Sequence, residues 1–163
     1  MTPKRSTPAG PRVAVIGAGS WGTTFGKILA DGGAQVTMGA RRAELAHEID
    51  EAKRNSRYLP GINLPRTMAA THELAIALRD VDQVYLSVPS QSLRENLKAL
   101  RPLLSDNDAK IVSLMKGVER TSGLRMSQVI EQELRCDPDR IAVASGPNLS
   151  LIHISEPTRQ AEI

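Results

Sequence analysis

From Arg12 onward, short β-branched runs alternate with stretches whose apolar positions recur at helical spacing. That order predicts a parallel sheet covered by helices. Residues 13–16 read as the first strand. Trp21, Phe25, Ile28 and Leu29 follow at the i, i+4, i+7, i+8 spacing of a helix that buries one stripe, and Gly32-Gly33 is expected to stop it. Residues 35–38 read as a second strand, and residues 43 to about 54 as a polar helix with Leu45 and Ile49 on its apolar side. Residues 55–65 hold Pro60-Gly61 and Pro65, which should prevent either regular element, so a surface loop is expected there. Alternation then resumes. A short strand at 68–70 precedes a helix at 72–79, a strand at 83–88 ended by Pro89, and a helix at 92–100. A strand at 110–115, a helix at 124–134 and a strand at 141–144 complete the pattern. The expected fold is a doubly wound α/β domain, with a mostly parallel sheet and helices on both faces.

One motif sits at the first strand-to-helix junction. Gly17-Ala18-Gly19-Ser20-Trp21-Gly22 is a G-x-G-x-x-G string. Gly17 permits a tight turn, Gly19 lets backbone approach a diphosphate, and Gly22 lets helix and strand pack closely; Gly26 extends that small-residue face. A helix N-terminus attracts an anion by roughly 0.3–1 kcal/mol when exposed and up to ~2 kcal/mol when partly buried. Alone, the glycines could be no more than a tight turn; between a strand and a helix they point to a dinucleotide.

The second strand ends in Gly39-Ala40-Arg41-Arg42, with no acid before Glu44. NAD sites usually place a carboxylate about 20 residues past the turn to accept from the ribose hydroxyls. Two guanidiniums suit the 2′-phosphate of NADP instead, with Arg41 the foremost candidate and Arg42 beside it. NADP (NADPH) is therefore expected ahead of NAD. Either arginine could also be an ordinary solvated side chain.

Ligands in open α/β sheets lie beyond the carboxyl ends of the strands. Three further segments have that address: Ser87-Val88-Pro89-Ser90, where Pro89 could line the nicotinamide side, Met115-Lys116-Gly117, and Ser145-Gly146-Pro147-Asn148. Each has a plain alternative as a strand stop, a surface lysine or a change of chain direction.

Composition narrows the partners. The formal net charge of +3 owes two charges to Lys4 and Arg5, and aromatics are only 2% of the chain, so no basic stripe interleaved with stacking rings supports nucleic-acid binding. Cys136 is the only cysteine, which rules out an intrachain disulfide and makes the cytoplasm the default. No apolar run approaches the ~18 residues of a membrane span, and no signal-like run precedes Val13. His47, His72 and His153 lack ligand spacing, so no metal site is expected, and no Ser/His/Asp set or carboxylate pair supports a hydrolase.

The glycine string, Arg41-Arg42, Tyr58-Leu59-Pro60-Gly61, Ser87-Val88-Pro89-Ser90, Met115-Lys116-Gly117-Val118-Glu119 and Ser145-Gly146-Pro147-Asn148 together resemble the NAD(P)-dependent glycerol-3-phosphate dehydrogenases in order and spacing. The resemblance spans about residues 13–148. It implies a Rossmann-like domain of a cytoplasmic oxidoreductase that interconverts dihydroxyacetone phosphate and sn-glycerol 3-phosphate for phospholipid synthesis. It further implies that Ser20, Trp21, Arg41 and Arg42 contact the cofactor, with Tyr58 a weaker candidate. Lys116 would touch both nicotinamide and a phosphorylated small-molecule substrate, and Gly146 and Asn148 would lie at the substrate phosphate. A homodimer of the full-length enzyme is one option.

In that family the acid/base is a lysine of a second, helical domain that this sequence does not reach. No catalytic residue is therefore expected within these residues, and the chain alone is expected to be inactive. A non-catalytic NADP-binding sensor or scaffold, or a related dehydrogenase with another substrate, are the competing readings. The sequence accordingly divides into a flexible tail at 1–11, a cofactor-binding domain at 12–148, and residues 149–163. The last segment is foreign to the family: residues 149–159 resemble a translated transposon-end sequencing adapter, so a non-native tail is expected.

Overall fold

The computed structural model describes residues 10–144. Six strands form one all-parallel sheet: β1 (Arg12–Ile16), β2 (Gln35–Gly39), β5 (Ala69–Thr71), β6 (Gln83–Leu86), β7 (Lys110–Ser113) and β8 (Ile141–Val143). Their order is β5-β2-β1-β6-β7-β8. The chain builds outward from β1 in one direction, then returns to its other side at β6. The crevice between the ends of β1 and β6 is thus the topological switch point, where open α/β sheets bind ligands.

Alternation along β1 explains the layers. Val13 and Val15 face a core shared with Val36 and Met38 of β2, under α1 (Ser20–Asp31) and α2 (Ala43–His47). Ala14 and Ile16 face the opposite core, with Leu93, Leu97, Leu100 and Leu104 of α4 (Leu93–Leu104) and Val129 and Ile130 of α5 (Met126–Leu134). A strand buried on both faces reads as the near-continuous apolar run seen at residues 13–16. The short α3 (Leu74–Ala77) closes the crossover from β5 to β6 through Ala77 and Leu78.

Several expectations need correction. The first helix exists, but Trp21 is 50% and Ile28 57% exposed, while Gly22, Thr23, Gly26 and Ala30 are the buried positions. Small residues win that face because they let α1 lie close on the sheet. A Cβ at Gly26 would come within 2.8 Å of Met38 Sδ and 3.0 Å of Met68 Cε. Leu29 is only half-buried.

Residues 55–65 are not a structureless loop: β3 (Arg54–Asn55) pairs antiparallel with β4 (Leu59–Asn63) as a separate ribbon. Pro60 is tolerated because a two-stranded ribbon leaves one edge without ladder bonds. The polar helix breaks early, α2 passing into a π-helical turn at Glu48–Ala52 that ends at Lys53 with φ 50°. α3 is shorter than the expected 72–79 helix, β6 stops at Leu86 before Pro89 is reached, and α4 runs through Pro102 to Leu104.

The obstructions at Gly26 are the ends of flexible methionine chains. Gly26→Ala is therefore expected to be near neutral in chemical denaturation, with the helix-propensity gain offsetting a small shift. Gly26→Leu should lose about 1–3 kcal/mol by overpacking.

Candidate functional site

The glycine turn between β1 and α1 is fixed by backbone packing. Gly17 has φ 111°, and a Cβ there would stand 2.1 Å from the Ser87 carbonyl oxygen, just past β6. Its N–H donates to the Gly39 carbonyl at 3.0 Å, tying the turn to the end of β2. A Cβ on Gly22 would lie 2.0 Å from the Gly17 carbonyl oxygen, so α1 leaves the turn in backbone contact with it. Gly19 differs. A Cβ there would meet nothing within 4 Å, and its φ of −75° is open to any residue.

The turn is therefore closed on its inner side and open at Gly19. α1 begins there with no side-chain cap and no acidic residue in its first turn. Its leading N–H groups have no intrahelical partners, and no carboxylate of that turn competes for the partial positive charge. This fits a diphosphate.

Asn55, fully buried, was not singled out by sequence reading. Its Nδ2 donates to the Ala18 carbonyl at 3.0 Å and to Thr23 Oγ1 at 2.8 Å, while its Oδ1 accepts from the Tyr58 N–H at 3.2 Å. One side chain thus joins the glycine turn to the bend between β3 and β4. Arg42 closes the arrangement: its guanidinium lies 6.0 Å from the Tyr58 ring centroid, with that of Arg57 at 5.5 Å. Arg42 is half-buried at the start of α2, and Arg41 is exposed beside it. Trp21 stands on the first turn of α1 with its ring 5.8 Å from Phe25, which in turn lies 5.3 Å from Tyr85 of β6.

Across the switch point, the loops after β6 and β7 are locked together. Pro89 precedes a 3-10 turn at Ser90–Ser92, and Gln91 within it donates to the Val118 carbonyl at 3.0 Å and accepts from the Arg120 N–H at 3.1 Å. Arg94 of α4 binds both carboxylate oxygens of Glu119 at 2.8 Å and reaches Glu133 of α5 at 2.5 Å. Ser122 also donates to Glu119, at 2.5 Å. Glu119 is buried, and these bonds, led by that from Arg94, hold its carboxyl down at about 2. The same pairing raises the Arg94 pKa.

This scaffold carries Lys116-Gly117, Gly117 at φ 101°, on the rim of an open cleft of about 430 Å³ that Met115, Arg125 and Val143 also line. Lys116 is exposed at the carboxyl end of β7. The fold thus brings Gly17, Gly19, Ser20, Trp21, Gly22, Arg41, Arg42, Tyr58, Pro89 and Lys116 to one edge of the sheet, Tyr58 by way of the ribbon. Gly146, Asn148 and His153 lie outside the described residues. Among the described residues, no cluster of His, Cys, Asp and Glu is placed for a metal ion, and no helix is long and apolar enough to cross a membrane.

An all-parallel, doubly wound sheet with a glycine turn at its switch point defines a Rossmann-type domain of the dinucleotide-binding class. The family described as NAD-dependent glycerol-3-phosphate dehydrogenase N-terminus matches residues 12–151, and the chain belongs to it. It is 62% identical over 137 residues to glycerol-3-phosphate dehydrogenase [NAD(P)+] of Leifsonia xyli subsp. xyli, covering 84% of this chain and 37% of that protein. Against the enzyme of the same name from Streptomyces avermitilis, identity is 52%, with 89% and 42% covered. The crystal structure of glycerol-3-phosphate dehydrogenase from Coxiella burnetii superposes with a TM-score of 0.76 at 32% identity, covering 87% of this chain and 42% of that one. The chain thus spans about two fifths of the length of these relatives.

Glu119 gives a pH test. Its folded pKa of about 2 lies below the ordinary 4.5, so its contribution to stability is complete above about 4.5 and is lost as pH falls towards 2. Between pH 5 and 2 the melting temperature of the wild-type chain should fall more steeply than that of Glu119→Gln, whose side chain does not titrate. Parallel curves would disprove the assignment.

Proposed function

We propose that this chain binds NADP(H), with NAD the second choice, and forms the cofactor-binding half of an enzyme that interconverts dihydroxyacetone phosphate and sn-glycerol 3-phosphate. The observation that carries the reading is Gly19, an open position in an otherwise backbone-packed turn, at the uncapped start of α1. Family membership supports the substrate. The bound nicotinamide would supply the hydride. Residues of this chain bind and orient: the turn receives the diphosphate, and Ser20 and Trp21 flank it. Arg41, Arg42 and Tyr58 take the adenosine end. Pro89 and Lys116 stand across the switch point on the nicotinamide side, Lys116 reaching towards the substrate with Gly146 and Asn148. Homodimerisation and a cytoplasmic location belong to the same proposal.

The domain is taken as residues 12–148, after a tail at 1–11, and residues 149–163 as non-native; reading the codons for 149–159 tests that assignment, which an adapter-free coding sequence would refute.

NADPH should raise the melting temperature of the wild-type chain by mass action, since at 100 Kd a ligand adds about 2.7 kcal/mol. Gly19→Ala is expected to fold normally, because its φ and the empty space admit a methyl group, yet to lose most of that shift. No shift in the wild type at saturating NADPH would defeat the reading. Residues 12–144 grafted into the longer Leifsonia xyli relative should oxidise NADPH with dihydroxyacetone phosphate, and absence of turnover in a folded, NADPH-binding graft would defeat the substrate assignment.

A further inference from the structure

Arg57 and Arg42 reach one aromatic ring from segments 15 positions apart in the chain. Their guanidinium carbons lie 5.5 and 6.0 Å from the centroid of Tyr58. Gathering two cations on one half-buried ring is unfavourable unless something negative offsets their repulsion. Among the described residues, none of Arg41, Arg42 and Arg57 is paired with a carboxylate, whereas Arg12, Lys27, Lys53 and Arg94 each are. The three guanidiniums of this corner therefore stand together without a carboxylate to neutralise them.

Its position is set by Asn55, whose side chain bonds the glycine turn at Ala18 and Thr23 on one side and the Tyr58 N–H on the other. The Arg57-Tyr58 bend cannot drift from the diphosphate turn without breaking those bonds. Arg42 lies just past the end of β2, the address from which Rossmann domains contact the adenosine ribose at its 2′ position. Where NAD sites place an acid to accept from the 2′-hydroxyl, the segment here supplies cations alone.

We propose that Arg57 is a specificity-determining residue for a 2′-phosphorylated cofactor, completing with Arg42 a guanidinium pair that Tyr58 holds in place. The inference rests on the proposed dinucleotide site and adds to it a residue from the β3–β4 bend. Planar guanidiniums suit the role because each can donate two parallel hydrogen bonds to phosphate oxygens. The aromatic face fixes the orientation of both forks, which lowers the entropy lost on binding.

The test is equilibrium binding of NADPH and NADH to the wild-type chain, Arg57→Ala and Arg57→Lys at one ionic strength, with melting temperatures as the control for folding. Arg57 is exposed, so the variants are expected to melt as the wild type does. Arg57→Ala should weaken NADPH at least about tenfold, the low end for a hydrogen bond to a charged group, and leave NADH within about twofold. Arg57→Lys should recover part of the loss, since it restores the charge without the fork. Competition by 2′,5′-ADP should weaken with NADPH, whereas competition by 5′-ADP should not change. Equal loss for both coenzymes, or no loss for either, overturns the role of Arg57 while leaving the dinucleotide site standing. A wild-type chain that binds neither coenzyme overturns both.

Discussion

The structure depends on one close backbone contact. Gly17 packs on the Ser87 carbonyl and Gly22 on the carbonyl of Gly17, with no room for a Cβ at either position. That contact brings the ends of β1 and β6 together at the switch point and aims the start of α1 over the sheet edge. The small residues Gly22, Thr23, Gly26 and Ala30 then let the helix settle on β1 and β2. Nothing in this chain of contacts uses a charge, which leaves the N–H groups at the helix start available to an anion.

Two polar locks hold the loops on either side of that contact. On the β2 side, Asn55 fastens the β3–β4 ribbon to the glycine turn. On the β6 and β7 side, Gln91 and the Arg94–Glu119 pair fasten the loop that follows Lys116 to the start of α4. Both are built from groups whose bonds are mutually satisfied, so the site edge is preorganised. The proposed cofactor would lie between them, its adenosine end near the first lock and its nicotinamide end near the second.

Much of this was legible in the sequence, for local reasons. The apolar runs at 13–16 and 83–88 read as strands because both faces are covered, although the second ends at Leu86, and the glycine string gained meaning from its place between strand and helix. The buried stripe of α1 was misread because periodicity weighs size: Trp21, Phe25 and Ile28 outweigh glycines, although close helix–sheet approach selects the glycines. The ribbon was missed because Pro60-Gly61 signals a break, and two-stranded pairing leaves too short a pattern to see. Asn55 and the Arg94–Glu119 pair carry no spacing signal at all, since their partners lie 37, 32 and 25 positions away and only the fold brings them together.

We propose that a diphosphate sits on bare backbone at Gly19. A crystal structure of the chain grown with NADPH tests it most directly. The expected result is diphosphate oxygens within hydrogen-bond distance of the first N–H groups of α1, over the open face of Gly19. A coenzyme seated elsewhere in such crystals, with solvent alone at that turn, would contradict the account.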